Sequence, residues 1–253
     1  MFCAFSGAGL GNFLRCKLTK HHFTLFLGIV SSVALACLVY AGFLKIAEVA
    51  WGVSVQHEAG YICAMLFIIP GFPFITSGID LAKLDMRSGV ERFTYALIVV
   101  LVATMSAWIM ALILHLQPVD FEKMSLPLGA WILFRLLASF CGVFGFSVMF
   151  NSPVRLAAVA AGIGAVANTF RLELVDLTAC PPAAAAFMGA LAAGLLASLI
   201  KSRVGYPRIS VTVPSIVIMV PGLYLYRGFY NLGMMSLSAS ASVSYTHLTL
   251  PTT

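Results

Sequence analysis

The chain has 253 residues, of which 61% are hydrophobic and only 9% carry a charge. Soluble domains are about half apolar and about a quarter charged, so this composition excludes a water-soluble globular domain and predicts an integral membrane protein. The formal net charge is +6, but the Lys and Arg residues stand singly or in threes between apolar stretches. That distribution is typical of membrane-topology signals and argues against nucleic acid as a partner.

Apolar stretches fenced by charged and turn residues predict an all-α fold, a polytopic bundle of transmembrane helices. A helical span needs ~20 predominantly apolar residues. In chain order the seven predicted spans are Phe23–Phe43, Gly60–Ile79, Phe93–Leu116, Leu126–Phe150, Leu156–Phe170, Pro182–Ile200 and Val211–Tyr226.

The fifth predicted span is short, because only 15 residues separate Arg155 from Arg171. As a helix it would reach about 22 Å, so both arginines are expected to snorkel towards the membrane surfaces. Orientation follows from the basic residues. With a cytoplasmic N-terminus, ten Lys and Arg lie on the cytoplasmic side and three on the other, namely Lys45, Lys123 and Arg171. Because positive residues concentrate inside, a cytoplasmic N-terminus is predicted.

Four segments follow from this pattern. Residues 1–22 are predicted to be a cytoplasmic N-terminal flank that is the remnant of a truncated span, and residues 23–117 the three-helix end of a first transmembrane half. Residues 118–237 are predicted to form a four-helix second half. The polar, Ser/Thr-rich residues 238–253 are predicted to be a disordered or artefactual tail.

Two predicted spans share an unusual core sequence. Met65-Leu66-Phe67-Ile68-Ile69-Pro70-Gly71-Phe72 resembles Ile216-Val217-Ile218-Met219-Val220-Pro221-Gly222-Leu223, and the two prolines are 151 residues apart. With the predicted topology the two spans run in opposite directions through the membrane. The pair therefore suggests two halves related as an inverted repeat.

A Pro-Gly pair inside a span predicts a broken helix, because proline removes a backbone donor and glycine relaxes the backbone. Lipid cannot satisfy the freed backbone groups, so such breaks occur where protein or a water-filled cavity meets them. Paired broken helices in inverted halves point to the binding site of a secondary transporter. The alternative is a pair of kinked packing helices.

Polar residues inside spans are costly and often functional. Arg135 lies within a span, where it either contacts substrate, snorkels, or pairs with a carboxylate such as Glu173 or Asp176. The candidate residues for a polar pathway or for proton coupling are Asp80, Arg135, Asn168, Glu173, Asp176 and Arg227. Each of these six could serve that role, and each could equally be an interface residue.

Enzyme motifs are absent from the sequence: there is no H-E-x-x-H, no G-x-S-x-G and no phosphate-binding G-x-x-x-x-G-K. The six cysteines form no C-x-x-C pair, so they are expected to be reduced packing residues. The prediction is a protein that is not an enzyme and has no catalytic residues, no metal site and no cofactor.

Three stretches resemble the threonine/serine exporter family: IIPGFPFITSGIDLAKLDMRSGVERFTYAL (68–97), FGFSVMFNSPVRLAAVAAGIGAVANTFRLEL (144–174) and GYPRISVTVPSIVIMVPGLYLYRGFYNLG (205–233). The resemblance covers about residues 23–236. In that family two homologous halves of about five spans each are fused or encoded separately. This chain would then hold the last three spans of the first half and the first four of the second.

The resemblance implies a secondary transporter of the bacterial inner membrane that exports threonine or serine, driven by protons. The implied partners are membrane lipids, a small amino acid and protons, with a homo-oligomer or a companion half-subunit as further options. The residues alone support only secondary transport of a small polar solute. Two rival classes stay open, an intramembrane lipid-modifying enzyme and a non-transporting membrane subunit.

A zwitterionic amino acid needs a partner for each charge, and broken helices supply N–H groups for a carboxylate and carbonyls for an ammonium. The predicted substrate floor is formed by the two Pro-Gly motifs near the midplane, with three hydroxyl partners beside it. A competing hypothesis makes both motifs hinges and places the substrate elsewhere. The predicted substrate-binding residues are Pro70, Gly71, Pro221, Gly222, Thr76, Ser77 and Tyr224.

Overall fold

A computed structural model describes residues 2–52, 60–116, 127–178, 180–220 and 222–248. Within these ranges every regular element is a helix. The elements are α1 (Phe2–Lys20), α2 (Leu25–Trp51), α3 (Gly60–Met65) with a following 3-10 turn (Leu66–Ile68), α4 (Gly71–Ala82), α5 (Met86–Ile113), α6 (Leu128–Met149), α7 (Val154–Thr178), α8 (Pro182–Val204), α9 (Arg208–Val217) and α10 (Gly222–Leu248).

The predicted all-α, multi-span fold is confirmed. Among the described residues, α2, α5, α6, α7 and α8 are each long and apolar enough to cross a membrane. Two further pairs reach that length together but are bent, by 56° between Gly60–Ile68 and Gly71–Ala82 and by 46° between Arg208–Val217 and Gly222–Ser236. Both predicted interruptions are therefore present, although Pro221 itself lies outside the described residues.

The fifth predicted span, Leu156–Phe170, is too short at both ends. The helix α7 runs from Val154 to Thr178, two turns past Arg171. The charged residues that follow Phe170 do not end the helix, because they have partners within the protein. The Arg171 guanidinium donates to the Met219 carbonyl, and Glu173 binds Arg135. Compensated charges do not need to leave the helix.

The chain divides into two compact units, and it passes between them at the two breaks. The first unit comprises Met1–Pro70, Thr94–Glu122 and Pro221–Thr253, and the second Gly71–Phe93 and Lys123–Val220. Of the predicted segment boundaries, the one between residues 117 and 118 lies outside the described residues. The backbone of α10 continues to Leu248 and covers much of the predicted tail.

The first unit packs α1 along α2. A Cβ added at Gly7 would lie 2.8 Å from the Ala36 carbonyl oxygen, and one at Gly11 would lie 2.9 Å from that of Ser32. Small residues thus let the two backbones approach closely, as in other membrane helix pairs. Residues 1–22, predicted to be a flank, accordingly contain a helix that lies beside the apolar middle of α2.

The second unit is built around α7, which packs against α6, α8 and α9. A Cβ at Gly164 would lie 2.7 Å from Val143 Cγ2 and 2.8 Å from the Ser215 carbonyl oxygen. The buried Ser215 hydroxyl donates to the Ala160 carbonyl at 2.9 Å. An interhelical hydrogen bond and a glycine contact therefore fix α9 on α7.

Corresponding helices make corresponding contacts in the two units. In the first, α1 packs on α2 and α3, α2 on α3, and α10 on α3; in the second, α7 packs on α8 and α9, α8 on α9, and α4 on α9. Substituting α7, α8, α9 and α4 for α1, α2, α3 and α10 converts one list into the other. The same set of pairings therefore occurs among four helices of each unit.

The contact at Gly164 generates a test of this packing. Replacing Gly164 with Ala forces a Cβ into backbone and Val143, so unfolding should become easier by about 1–3 kcal/mol. Thermal unfolding in detergent measures the effect. The matched control is Gly162→Ala on the same helix, where an added Cβ meets nothing within 4 Å. Equal melting temperatures for the two variants would contradict the packing.

Candidate functional site

The first break separates the 3-10 turn from the beginning of α4. The 3-10 turn ends at Ile69, whose N–H binds the Leu66 carbonyl at 3.2 Å, and α4 begins after the half-buried Pro70. First-turn N–H groups of a helix have no partner within that helix. Pro73 sits in this turn and has no N–H to leave unpaired. The donors of α4 without an acceptor in the helix are therefore those of Gly71 and Phe72.

The end of α9 lies against the beginning of α4 in the second unit. A Cβ at the buried Gly71 would lie 3.1 Å from Val217 Cγ1 and 3.4 Å from Val220 Cγ2. Helix N-termini carry partial positive charge and C-termini partial negative charge. The donors of α4 thus begin next to the carbonyls that α9 leaves behind.

The first unit repeats this arrangement with the roles exchanged. A Cβ at the buried Gly222 would lie 2.6 Å from Ile69 Cδ1 and 3.0 Å from Leu66 Cδ2. Leu66 and Ile69 precede Val217 and Val220 by 151 residues, the same separation as the two Pro-Gly motifs. Each glycine therefore packs on the residues that lead into the other motif, and side chains larger than hydrogen would separate these ends.

The three predicted hydroxyl partners differ in burial. Thr76 and Ser77 are buried on α4, but both hydroxyls donate to carbonyls of their own helix, Thr76 to Phe72 at 3.0 Å and Ser77 to Phe74 at 2.8 Å. Tyr224 is 60% exposed. The assignment of these three residues to substrate stays a prediction.

A buried pair of tyrosines, which the sequence analysis did not identify, joins the broken spans in the first unit. Tyr61 of α3 and Tyr226 of α10 are fully buried, their hydroxyl oxygens are 2.7 Å apart, and their rings meet edge to face. Only the tertiary contact reveals that these two hydroxyls satisfy each other.

Arg135 is paired, as one of its alternatives predicted. Its guanidinium donates to Glu173 Oε1 at 2.7 Å and also to Asp176 Oδ2, while it stacks over the Trp131 ring. The side chains of Arg135 and Glu173 are 18% and 16% exposed. This cluster holds two carboxylates and one cation, so it carries a net negative charge when both acids are ionised.

The other pathway candidates are more dispersed. Asp80, at the end of α4, pairs with Arg92 of α5 at 2.6 Å. Arg227 is half-buried on α10 in the first unit. Asn168 is buried on α7, and its amide nitrogen donates to the Ser139 hydroxyl at 2.8 Å. The structure brings Arg135, Glu173 and Asp176 together, and it places the other three elsewhere.

Arg171 was predicted only as a boundary residue, yet it contacts the second break. Its Nη1 donates to the Met219 carbonyl at 3.1 Å, one residue before Val220. A cation at the C-terminal end of a helix is favourable because it faces freed carbonyls. The signal in the sequence was an arginine three residues after an asparagine, on the same face of α7.

A surface groove of about 480 Å³ lies between α4, α8 and α9 in the second unit. Its lining is mostly apolar, with Arg208 donating to the Ser198 hydroxyl at 3.1 Å. Such a lining does not offer a zwitterion a partner for each charge. Among the described residues, no group of three or more His, Cys, Asp and Glu could hold a metal ion.

The tyrosine pair predicts a coupled effect on stability. Tyr61→Phe or Tyr226→Phe leaves the other hydroxyl buried without its partner, so each should destabilise by about 1–3 kcal/mol. The double variant should lose much less than the sum of the two, as measured by thermal unfolding in detergent. Tyr224→Phe, at an exposed position of the same helix, is the control. Additive losses would show that the two hydroxyls are not coupled.

The Arg135 cluster predicts a rescue. Arg135→Gln leaves Glu173 part-buried without its cation and should destabilise by about 2 kcal/mol. Adding Glu173→Gln removes the uncompensated charge and should recover part of the loss. The control is Arg87→Gln, which breaks an exposed pair with Glu91 on α5 and should cost well under about 1 kcal/mol. Equal effects of the Arg135 and Arg87 variants would exclude an important buried pair.

Two family models match the chain. Residues 1–115 match the model described as "Putative threonine/serine exporter", and residues 135–251 match the model described as "Threonine/Serine exporter, ThrE". The matches cover 115 and 117 of the 253 residues. No curated protein and no solved structure matches the chain. With several apolar helices and both halves of its sequence matched by exporter models, this multi-pass membrane protein belongs to the threonine/serine exporter family.

Proposed function

We propose that this protein exports threonine or serine across the inner membrane as a proton-coupled secondary transporter. The supporting observation is the pair of broken spans, in which the buried glycine after each break packs against the residues leading into the other break. Such ends present backbone donors and acceptors without unpaired charged side chains. A zwitterion with a hydroxyl group requires both kinds of partner.

The substrate floor in this proposal consists of Pro70, Gly71, Pro221 and Gly222, with Thr76, Ser77 and Tyr224 as hydroxyl partners. Thr76 and Ser77 would have to exchange bonds to their own helix for bonds to substrate. The two units act as inverted repeats, which the matching lists of helix contacts support. The hinge alternative uses the same breaks, but it requires substrate to bind away from them.

Proton coupling is assigned to the acidic residues that lie beside a cation. Asp80 pairs with Arg92, and Glu173 and Asp176 share Arg135. Protonation of either partner of Arg135 would weaken its ion pair and so link proton uptake to a change in the position of α6 or α7. Asn168 and Arg227 complete the proposed pathway.

The proposed topology has a cytoplasmic N-terminus, in accordance with the excess of Lys and Arg on that side. The working unit in this proposal is either a homo-oligomer or a complex with a companion half-subunit, in contact with membrane lipids. The rival functions predict other observations. A lipid-modifying enzyme would consume or alter a lipid, and a non-transporting subunit would move no amino acid by itself.

Efflux from loaded cells tests the function. Cells that express the protein and contain labelled threonine should release it faster than cells with an empty vector, and an uncoupler of the proton gradient should abolish the difference. Serine should compete, whereas alanine, which lacks the hydroxyl, should compete less. Correct insertion without any efflux above background would contradict the proposal for this substrate.

The glycine contacts predict which variants lose transport. Gly71→Leu and Gly222→Leu should each lower efflux about tenfold or more, because a side chain there separates the paired helix ends. Gly78→Leu on α4 and Gly228→Leu on α10 are matched controls, since an added Cβ at either meets nothing within 4 Å. Rates are compared at equal amounts of inserted protein. If the controls lose as much efflux as the test variants, the breaks have no special role.

A further inference from the structure

One face of α7 packs along α9 as far as the break that follows α9. Gly164, Asn168 and Arg171 are spaced by four and three residues, so they share a helix face. A Cβ at Gly164 would lie 2.8 Å from the Ser215 carbonyl oxygen, and Arg171 Nη1 lies 3.1 Å from that of Met219. Asn168 therefore lies on α7 between the contact with Ser215 and the contact with Met219, which is beside the residues where α9 ends.

The amide of Asn168 is only partly satisfied. The residue is 7% exposed, its nitrogen donates to the Ser139 hydroxyl, and its oxygen Oδ1 has no hydrogen-bond partner within the described part of the chain. Thr169 is 6% exposed, and its hydroxyl has no partner there either. A buried polar group left unpaired costs about 1–3 kcal/mol. Such groups are places where an ordered water molecule or a polar ligand group is stabilised.

The chemistry of this face suits a carboxylate. An amide can exchange the roles of its oxygen and nitrogen, because Ser139 can donate as well as accept, and the NH2 group then becomes the donor left over. A guanidinium is a planar fork whose geometry matches a carboxylate. Arg171 is half-buried, where such a bond is stronger than in water.

We propose that Arg171 and Asn168 form a subsite that binds the carboxylate group of the transported amino acid, next to the α9–α10 break. The proposal rests on the proposed function, because it supplies the carboxylate partner for that substrate. The Met219 carbonyl orients the guanidinium. Met219 therefore positions Arg171, whereas Arg171 and Asn168 touch the ligand.

The competing role for Arg171 is that of a cap, in which the guanidinium only stabilises the end of α9. A cap does not contact the ligand, so its loss should weaken the binding of all ligands equally. A carboxylate partner discriminates between threonine and threonine amide, which differ in the charged oxygen. The ratio of their inhibition constants therefore separates the two roles even if a variant is less stable.

The experiment measures inhibition of labelled threonine transport in proteoliposomes by unlabelled threonine and by threonine amide. Wild type should prefer threonine by about 10–100-fold, the range expected for a charge-assisted bidentate bond. Arg171→Gln should bring the ratio of the two constants close to one, and Arg171→Lys, which keeps the charge without the fork, should give an intermediate ratio. Asn168→Ala should reduce the ratio less. Arg155→Gln, exposed at the start of the same helix, is the matched control and should keep the wild-type ratio.

A second measurement distinguishes the subsite from the proposed function. Lactate and succinate, which have carboxylates but no ammonium, should raise the melting temperature of the detergent-solubilised wild type and not that of Arg171→Gln. If wild type transports no threonine but shows this difference, the subsite stands and the threonine assignment is wrong. If wild type transports threonine and Arg171→Gln keeps the wild-type ratio, the subsite is overturned and the proposed function stands. If no carboxylate is transported or stabilises the wild type, both are overturned.

Discussion

Every backbone N–H and C=O group inside a membrane needs a hydrogen-bond partner, and the structure depends on how that requirement is met at two breaks. A group left unpaired in lipid costs several kcal/mol. In each unit the first turn of one half-helix lies beside the last residues of the other span's half-helix, at Gly71 and at Gly222. The partial positive charge of the helix N-terminus thereby lies next to the partial negative charge of the helix C-terminus. The same requirement explains why both glycines are buried and why Arg171 donates to Met219.

The two units use corresponding helices, yet their polar contacts differ. Tyr61 and Tyr226 form a buried hydrogen bond in the first unit, whereas the positions related to them by the 151-residue offset are Thr212 and Ile75. A transporter made of two identical halves would present the same environment twice. In the proposed function, differences of this kind would give a zwitterion, which is itself asymmetric, one preferred orientation.

The second difference concerns charge. The carbonyl of Met219 accepts from Arg171, and the residue that corresponds to Met219 by the same offset is Ile68. A cation at one break favours the carboxylate end of an amino acid there. In the proposed subsite, this contact and the buried Asn168 amide would supply the selectivity that backbone groups alone do not provide.

The all-α, multi-span fold and the location of the breaks could be predicted from the sequence, because hydropathy and Pro-Gly pairs are local signals. The extent of α7 could not, since charged residues end a span only when no protein group compensates them, and Arg135 compensates Glu173. Likewise, the bonds of Thr76 to its own helix and the Tyr61–Tyr226 pair depend on rotamers and tertiary contacts. Local patterns thus predicted the two broken helices, and tertiary packing decides which side chains lie beside them.

The most direct test of the central claim is whether threonine shields the broken spans from water. Ser77→Cys, a nearly isosteric change on α4, would be introduced after the six native cysteines are replaced by alanine. Ser77 is buried in this structure, so the account predicts that states of the transport cycle in which the break opens to water let a membrane-impermeant thiol reagent label this cysteine in the absence of ligand. It also predicts that threonine slows the labelling, while alanine slows it less. Leu199→Cys, exposed on α8, is the control that threonine should not affect. Labelling of Ser77→Cys at the same rate with and without threonine, in protein that transports it, would contradict the account.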